Sequence, residues 1–235
     1  MISLVNIKSF LRPFFYRIFG RDQQPDSFLD CVSGVIHIGA NTGQERDLYR
    51  LKNLQVLWVE PIPAVYEVLE GNLRDYPRQS AVQALLYEKD GVRLSLNIAS
   101  NGGESSSIMS LKEHKILWPD IAFVESIELT SKTLVTLVEE ARLNLGVFNA
   151  IVLDTQGSEL LILKGAIPLL PGIAYVKTEV PDFEAYEGCP DLSEFTAFMA
   201  QHGFRLVSKR AIPASTRNRA YYDVTYKNKR FSGGF

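Results

Sequence analysis

Apolar and polar positions follow two alternating patterns along the chain from residue 34 onward. Short runs rich in β-branched residues predict buried strands, and longer runs with apolar residues three and four positions apart predict helices. The first five elements are strand, helix, strand, helix and strand, over residues 35–38, 44–51, 56–59, 64–76 and 80–85. Because their connections are short, we expect right-handed crossovers and a parallel sheet, which defines an α/β fold.

The pattern changes in the middle of the chain. Residues 92–99 alternate between apolar and polar, which indicates a half-exposed strand, and the polar loop NGGESSS follows it. A strand, a helix, a strand, a helix, a strand, a helix and two strands are then predicted over residues 126–130, 133–143, 150–153, 158–165, 173–180, 192–203, 204–209 and 220–226. A polar loop joins the last two strands, so we expect an antiparallel hairpin at one edge of the sheet.

The chain contains neither an internal repeat nor a linker, which predicts one domain, residues 31–235, after an N-terminal segment, residues 1–30. Residues 1–21 combine apolar positions at near-helical spacing with interspersed Lys and Arg, and the basic residues argue against a cleavable signal peptide. Two interpretations are open. The segment is a helix that packs on the domain or on the second subunit of a homodimer, or it lies peripherally on an anionic membrane surface, at the inner face.

The composition narrows the class of protein. The 235 residues are 46% hydrophobic and 22% charged, with a net charge of -2, and this near-neutral balance predicts no nucleic-acid partner. The longest apolar run is too short to span a bilayer. Cys31 and Cys189 lack metal spacing and predict reduced thiols in a cytoplasmic compartment. His37, His114 and His202 are scattered, so we predict no metal site.

Two turns point to a ligand at the carboxyl ends of the strands, where open parallel sheets bind their ligands. Gly39 would permit a tight turn after the first strand, and Gly43 would let the next helix begin close to a ligand. Their Gly-x-x-x-Gly spacing differs from the dinucleotide fingerprint. Glu60 ends the second strand, where a carboxylate can accept bonds from ribose hydroxyls or cap a helix. Together the two turns favour an adenosine ligand.

A third turn, LDTQGSELLILKGA, adds acidic residues at the same edge. Asp154 ends a very apolar strand, and Glu179 ends the next one, so we expect the two side chains to be neighbours. Neighbouring carboxylates can create a general base near neutral pH or hold a hard cation, and both alternatives stay open. Glu159 is ambiguous, because the helix macrodipole favours acidic residues in a first turn anyway.

The motifs HIGANTGQE, WVEPIPAVYEVLEGNL and LDTQGSELLILKGA, followed by VKTEV, resemble the FkbM family of S-adenosylmethionine-dependent methyltransferases from about residue 35 to residue 204. The resemblance implies a seven-stranded, Rossmann-like class I methyltransferase fold with an inserted hairpin between the third and fourth core strands. It also implies O-methylation of a hydroxyl of a sugar, a glycan or a natural product. The cofactor would be S-adenosylmethionine, and the acceptor a small molecule or a glycan.

The resemblance also implies roles for particular residues. The glycine turn would line the methionine part of the cofactor, Glu60 would bind its ribose, and the serine-rich loop would face the cofactor or the acceptor or stay a solvated loop. The candidate cofactor-binding residues are His37, Gly39, Ala40, Asn41, Gly43, Glu60, Pro61, Asn101, Ser105, Ser106 and Asp154. The candidate catalytic residues are Asp154 and Glu179, either of which would remove the proton of the acceptor hydroxyl.

Two positions depart from the family pattern. His37 stands where the family usually has aspartate, and we expect a neutral, structural imidazole there. Thr155 and Gln156 stand where valine and glutamate are common, which removes one carboxylate from the site. These departures keep open a non-catalytic binding or scaffolding domain. An NAD(P)-dependent oxidoreductase is a weaker rival, since the third glycine and a Tyr-x-x-x-Lys pair are missing.

The acceptor itself is not fixed by the sequence. Residues 110–125 and 181–190 are candidate walls, in which Trp118, Phe183 and Tyr186 would serve as stacking surfaces for a sugar or as core. The basic stretch 208–223 would hold an anionic acceptor or form a solvated hairpin loop.

Overall fold

The computed structural model describes residues 26–212 and 219–231. The two interpretations of residues 1–21 therefore lie outside the described residues, as does the middle of the basic stretch 208–223. In the ranges that are described, no helix combines the length and the apolar character that a membrane span requires.

Seven strands form the main sheet: β1 (Gly34–Ile38), β2 (Gln55–Glu60), β3 (Gln79–Gln83), β7 (Phe148–Leu153), β8 (Tyr175–Pro181), β9 (Phe204–Ile212) and β10 (Tyr221–Asn228). Their order in the sheet is β3-β2-β1-β7-β8-β10-β9. The first five run parallel, and β10 is antiparallel to both of its neighbours. This confirms the mostly parallel sheet and its antiparallel edge hairpin.

Helices cover both faces of this sheet, so its central strands are buried along their length. All five residues of β1 are buried, with Ile36 in one apolar cluster and Val35 in the other. The helices are α1 (Arg46–Leu51), α2 (Pro63–Leu73), α3 (His114–Leu117), α4 (Leu134–Glu140), α5 (Glu159–Gly165) and α6 (Leu192–Gln201), with short 3-10 helices at Ser27–Cys31 and Leu170–Gly172.

A smaller sheet lies between β3 and β7 in the chain and contains β4 (Leu85–Leu86), β5 (Arg93–Ala99) and β6 (Phe123–Lys132). The antiparallel pair β5–β6 confirms the inserted hairpin. Strand β6 is longer than the predicted residues 126–130, because it pairs with β5 from Thr130 back to Phe123. Helix α3 was not predicted, since four residues are too few to show a helical period.

Candidate functional site

The three predicted turns meet at the carboxyl edge of the main sheet, where β1 lies between β2 and β7. Ile38 is in register with Val59 on one side and Leu153 on the other. The backbone N–H of Asp154 donates to the carbonyl oxygen of Ile38 at 3.0 Å. Strand order reverses here, which makes this edge the expected ligand crevice.

Gly39 lies where the first and third turns touch. Its φ is +80°, and a Cβ at this position would lie 2.0 Å from the backbone oxygen of Asp154. A larger residue has no space beside that carbonyl group, and its φ would be strained as well. The backbone N–H groups of Gly39 and Ala40 both donate to Val59, at 3.0 and 3.1 Å, so the second strand also holds this turn.

Glu60 ties the first turn to the second. Its Oε2 accepts a hydrogen bond from the backbone N–H of Asn41 at 2.8 Å, and its Oε1 accepts one from Ile62 at 3.0 Å. The side chain is only 4% exposed, and this burial raises the pKa of Glu60 to about 7 although the two backbone bonds oppose the shift. Ile62 precedes α2, so Glu60 also fixes how that helix begins after Pro61.

The serine-rich loop folds against the same edge. Asn101 donates to the Oγ of Ser105 at 3.0 Å, and the backbone N–H of Ala99 donates to the Oγ of Ser106 at 3.0 Å. Gly103 lies beside α2, since a Cβ there would be 3.2 Å from Ile62 Cδ1. The predicted loop residues therefore stabilise a loop that lies over the second turn, while their contact with a cofactor stays a prediction.

Glu159 stabilises the third turn from within. Its carboxylate accepts hydrogen bonds from the backbone N–H groups of Thr155 at 2.8 Å and Gly157 at 3.0 Å. The side chain is 5% exposed, and burial raises the pKa of Glu159. The ambiguous carboxylate thus has a structural use in holding the turn that presents Asp154.

Gln156 connects this turn to a distant segment. Its Nε2 donates to Asp154 Oδ1 at 2.7 Å, and its Oε1 accepts a hydrogen bond from the Tyr186 hydroxyl at 2.7 Å. The sequence marked Gln156 only as a departure from the family pattern. Its link to Tyr186 spans 30 positions in the chain and could not be anticipated from local spacing.

Asp154 and Glu179 line one pocket, as expected for neighbouring side chains. Leu153 pairs with Thr178, so Asp154 and Glu179 occupy the next position on adjacent strands. Glu179 does not end its strand as predicted, because pairing with β10 extends β8 to Pro181. The pocket is narrow, with a cavity volume of only about 10 Å³, and its lining is Asp154, Gln156, Gly157, Glu159, Glu179, Pro181, Tyr186 and Tyr221. Within the described residues, no three His, Cys, Asp or Glu side chains are grouped so as to hold a metal ion.

The predicted aromatic walls belong mainly to the core beside this pocket. Phe183 and Tyr186 are 8% and 1% exposed, and both join a buried cluster with Tyr221, against which Trp118 packs. The core interpretation therefore holds for Phe183 and Tyr186. Tyr221, which sequence reasoning missed, reaches the pocket because β10 lies next to β8.

His114 lies in the same cluster, where Nδ1 is 2.7 Å from the Tyr221 hydroxyl. Burial lowers the pKa of His114 from 6.5 to about 4. The unfolded chain therefore takes up this proton below about pH 6.5 and the folded chain does not, so stability falls as the pH falls from about 6.5 to 4. We expect His114→Phe to reduce this loss, measured as the difference in free energy of unfolding by urea between pH 7 and pH 4.5.

The matched control for that measurement is His202→Phe, at the partly buried C-terminal end of α6. We expect it to keep the wild-type dependence of stability on pH. If His114→Phe and the wild-type chain lose equal stability over this interval, His114 does not resist protonation in the folded protein.

His37 lies among the aromatic side chains of the apolar cluster that contains Val35, Tyr49 and Trp58. It is 4% exposed, its ring stacks on Trp58 with centroids 4.6 Å apart, and its Nδ1 is 2.9 Å from the Tyr49 hydroxyl. These contacts support the structural role expected for this imidazole. A contact between His37 and a cofactor stays a prediction.

Comparison with known proteins identifies a family that this chain matches. The family model described as "Methyltransferase FkbM domain" matches residues 37–206. A comparison with curated proteins found no match.

Two solved structures have a similar fold. Sp1610 from Streptococcus pneumoniae, a candidate tRNA (m1A22) methyltransferase in complex with S-adenosyl-L-methionine, is 10% identical, with a TM-score of 0.50 over 89% of this chain and 72% of that one. The magnesium protoporphyrin IX methyltransferase ChlM from Synechocystis PCC 6803, with bound SAM, is also 10% identical, with a TM-score of 0.49 over 97% of this chain and 100% of that one. At this identity the Sp1610 likeness shows the fold alone.

Proposed function

The chain belongs to the FkbM methyltransferase family, and we propose that it transfers a methyl group from S-adenosylmethionine to a hydroxyl oxygen of a sugar, a glycan or a natural product. One observation carries the proposal. The turn at Gly39, the carboxylate of Glu60 and the carboxylate of Asp154 converge at one edge of the sheet, next to a pocket that Glu179 also lines.

The residues at this edge fit an adenosyl ligand. A carboxylate has about four acceptor sites. Glu60 uses two of them on Asn41 and Ile62, so it retains capacity for ribose hydroxyls. Thr155 Oγ1 is buried and lacks a hydrogen-bond partner within the described residues, and Thr155 lies beside the turn at Gly39. An unsatisfied hydroxyl at this place suits a polar group of the methionine part of the ligand.

When bound, S-adenosylmethionine supplies an activated methyl group, so the protein has mainly to position the acceptor and manage one proton. We assign to Asp154 the removal of the acceptor's hydroxyl proton, because its backbone is bonded directly to the first strand beside Gly39. Glu179, on the adjacent strand, would bind a further hydroxyl of the acceptor or take over the proton.

The charges around the pocket favour an uncharged acceptor. Asp154, Glu159 and Glu179 line it, and its lining among the described residues includes no basic side chain. Phosphate or carboxylate groups would be repelled there. Two described basic residues near the edge hairpin are engaged elsewhere: Arg219 pairs with Glu113, and Lys209 lies over the ring of Tyr222. These contacts support a neutral polyhydroxyl acceptor over a nucleotide-linked one.

We expect Glu60→Ala to weaken binding of S-adenosylhomocysteine about 10- to 100-fold at pH 8, above the raised pKa of Glu60, because bonds to a charged group are worth about 1.5–3 kcal/mol. Isothermal titration calorimetry on the purified protein measures this change. The exposed Glu67→Ala on α2 is the matched control, with wild-type affinity expected. Equal affinity in the two variants would remove Glu60 from the cofactor site.

The acceptor is found by a transfer assay. The full chain is incubated with radiolabelled S-adenosylmethionine and a panel of neutral sugars, glycans, hydroxylated natural products and sugar phosphates, and the methylated position is then identified by NMR. The proposal expects label on a hydroxyl oxygen of a neutral acceptor. Binding of S-adenosylhomocysteine with no transfer to any acceptor would favour the non-catalytic binding domain, and transfer to nitrogen would overturn O-methylation.

We place this activity in the cytoplasm. The free thiols of Cys31 and Cys189 support a reducing compartment. The basic, amphipathic pattern of residues 1–21 supports peripheral contact with the inner face of a membrane.

A further inference from the structure

We propose that Gln156 is a positioning residue that orients the Asp154 carboxylate, and that Tyr186 fixes the Gln156 amide for this purpose. The inference rests on the proposed function, in which Asp154 takes the proton of the acceptor. It assigns a use to the position at which this chain departs from its family.

Three side chains form a continuous hydrogen-bonded chain at the pocket. The Tyr186 hydroxyl donates to Gln156 Oε1, and Gln156 Nε2 donates to Asp154 Oδ1, both at 2.7 Å. All three residues line the same pocket. Tyr186 is 1% exposed and packs in the aromatic cluster, so its hydroxyl is a fixed point rather than a mobile surface group.

The chemistry of the two ends determines which way the amide faces. An ionised carboxylate only accepts hydrogen bonds, so the NH₂ group of Gln156 must face Asp154. The amide oxygen then faces Tyr186, which has a proton to donate. A flipped amide would place its oxygen against the carboxylate and lose the bond to Asp154. Burial raises the pKa of Tyr186, with nearby carboxylates contributing, so the hydroxyl remains a donor at neutral pH.

The backbone holds Gln156 rigidly at this position. Its φ is +57°, in the left-handed region, and the Ser107 hydroxyl donates to its carbonyl oxygen at 2.7 Å. Glu159 binds the backbone N–H groups of the residues on either side, Thr155 and Gly157. A conformation that most residues avoid is therefore maintained by three contacts, which is typical of strain kept at a functional position.

An uncharged amide has a specific consequence for Asp154. A glutamate of the same shape would set a second negative charge against the carboxylate, and like charges oppose ionisation. The amide instead donates a bond that favours the charged form. It also takes one acceptor site of Oδ1, which leaves Oδ2 as the oxygen with more capacity for the incoming proton of the acceptor.

The test compares Gln156→Glu with the wild-type chain, using ¹³C NMR of the aspartate carboxyl groups, with the Asp154 signal assigned from Asp154→Asn. This measurement needs no acceptor. We expect the Asp154 carboxyl to titrate at a higher pH in Gln156→Glu than in the wild-type chain, because the introduced carboxylate opposes its ionisation. Gln201→Glu, on the exposed end of α6, is the control and is expected to leave that titration unchanged.

Transfer assays with the acceptor found above give the second readout. Gln156→Glu should move the acidic limb of kcat/KM to higher pH. Gln156→Asn, which tolerates a left-handed backbone but is too short to bridge, should lower kcat about 10- to 100-fold with KM nearly unchanged. Tyr186→Phe should lower kcat in the same direction, and it keeps the inference testable if variants at position 156 fail to fold.

The outcomes separate this inference from the proposed function. If Asp154→Asn is inactive while the Gln156 and Tyr186 variants keep wild-type rates and titration, the positioning role is wrong and the assignment of Asp154 as the base is kept. If Asp154→Asn is fully active, the base assignment fails, while the NMR titration still reports whether Gln156 governs the Asp154 carboxyl group.

Discussion

Asp154→Asn is expected to lower methyl transfer by about 10²- to 10⁴-fold while the affinity for S-adenosylhomocysteine stays within about tenfold of the wild-type value. The asparagine has nearly the same shape as the aspartate, and its Oδ1 can still accept the hydrogen bond from Gln156. The backbone bond from position 154 to Ile38 does not involve the side chain. The substitution therefore removes the proton acceptor and leaves the geometry of the turn in place.

Single-turnover assays with radiolabelled S-adenosylmethionine and the identified acceptor measure this loss, and calorimetry measures the affinity. Asp75→Asn, an exposed aspartate that follows α2, is the matched control and should behave like the wild-type chain. Undiminished transfer by Asp154→Asn would end its assignment as the base. A loss seen instead in Glu179→Gln would move the assignment to the neighbouring strand.

Gly39→Ala is expected to destabilise the fold by several kcal/mol, which is among the largest effects of a single substitution. The left-handed φ of +80° alone costs a non-glycine residue about 1–2 kcal/mol. The added methyl group would also lie 2.0 Å from the backbone oxygen of Asp154. This oxygen belongs to the main chain, so it cannot move aside as the end of a flexible side chain could. Relief of that contact requires the first and third turns to separate, so binding of S-adenosylhomocysteine should be lost as well.

Gly71→Ala is expected to have the opposite effect on the stability of the same chain. Gly71 lies inside α2, and a Cβ there would meet nothing within 4 Å. Replacement by alanine should stabilise the protein by about 0.5–1 kcal/mol, because alanine loses less conformational entropy in a helix. Urea unfolding followed by circular dichroism measures both variants. A midpoint for Gly39→Ala equal to that of the wild-type chain would show that the turn relaxes freely.

Local sequence signals were sufficient for the main sheet. The switch from β-rich runs to helical runs predicts the order of the elements, a parallel sheet and an antiparallel edge hairpin, and the structure has all three. The seven strands and the inserted hairpin were expected from the family resemblance, and they are present as well. Short connections and a fixed crossover hand leave few ways to join such elements. The sequence determined the bounds of the strands less well. Strand β6 extends beyond its predicted residues because it pairs with β5, and no local pattern describes that pairing.

The ends of the strands were equally well determined by sequence. A residue that ends or follows a buried parallel strand lies at the carboxyl edge whatever the rest of the chain does, so Gly39, Glu60 and Asp154 were brought to one edge as expected. Glu179 lies beside Asp154 but within β8, which pairing with β10 extends to Pro181. The relation of the first three residues to the edge depends only on the count of residues along each strand.

Only the tertiary structure decided how the carboxylates at that edge are used. Glu159 holds its own turn, Glu60 joins two turns, and Asp154 is bonded through Gln156 to Tyr186. It also decided that Tyr221 reaches the pocket. These assignments depend on hydrogen bonds between segments remote in the chain and on burial. Spacing along a strand determines where a side chain begins, while packing between strands, loops and helices determines which atoms it meets.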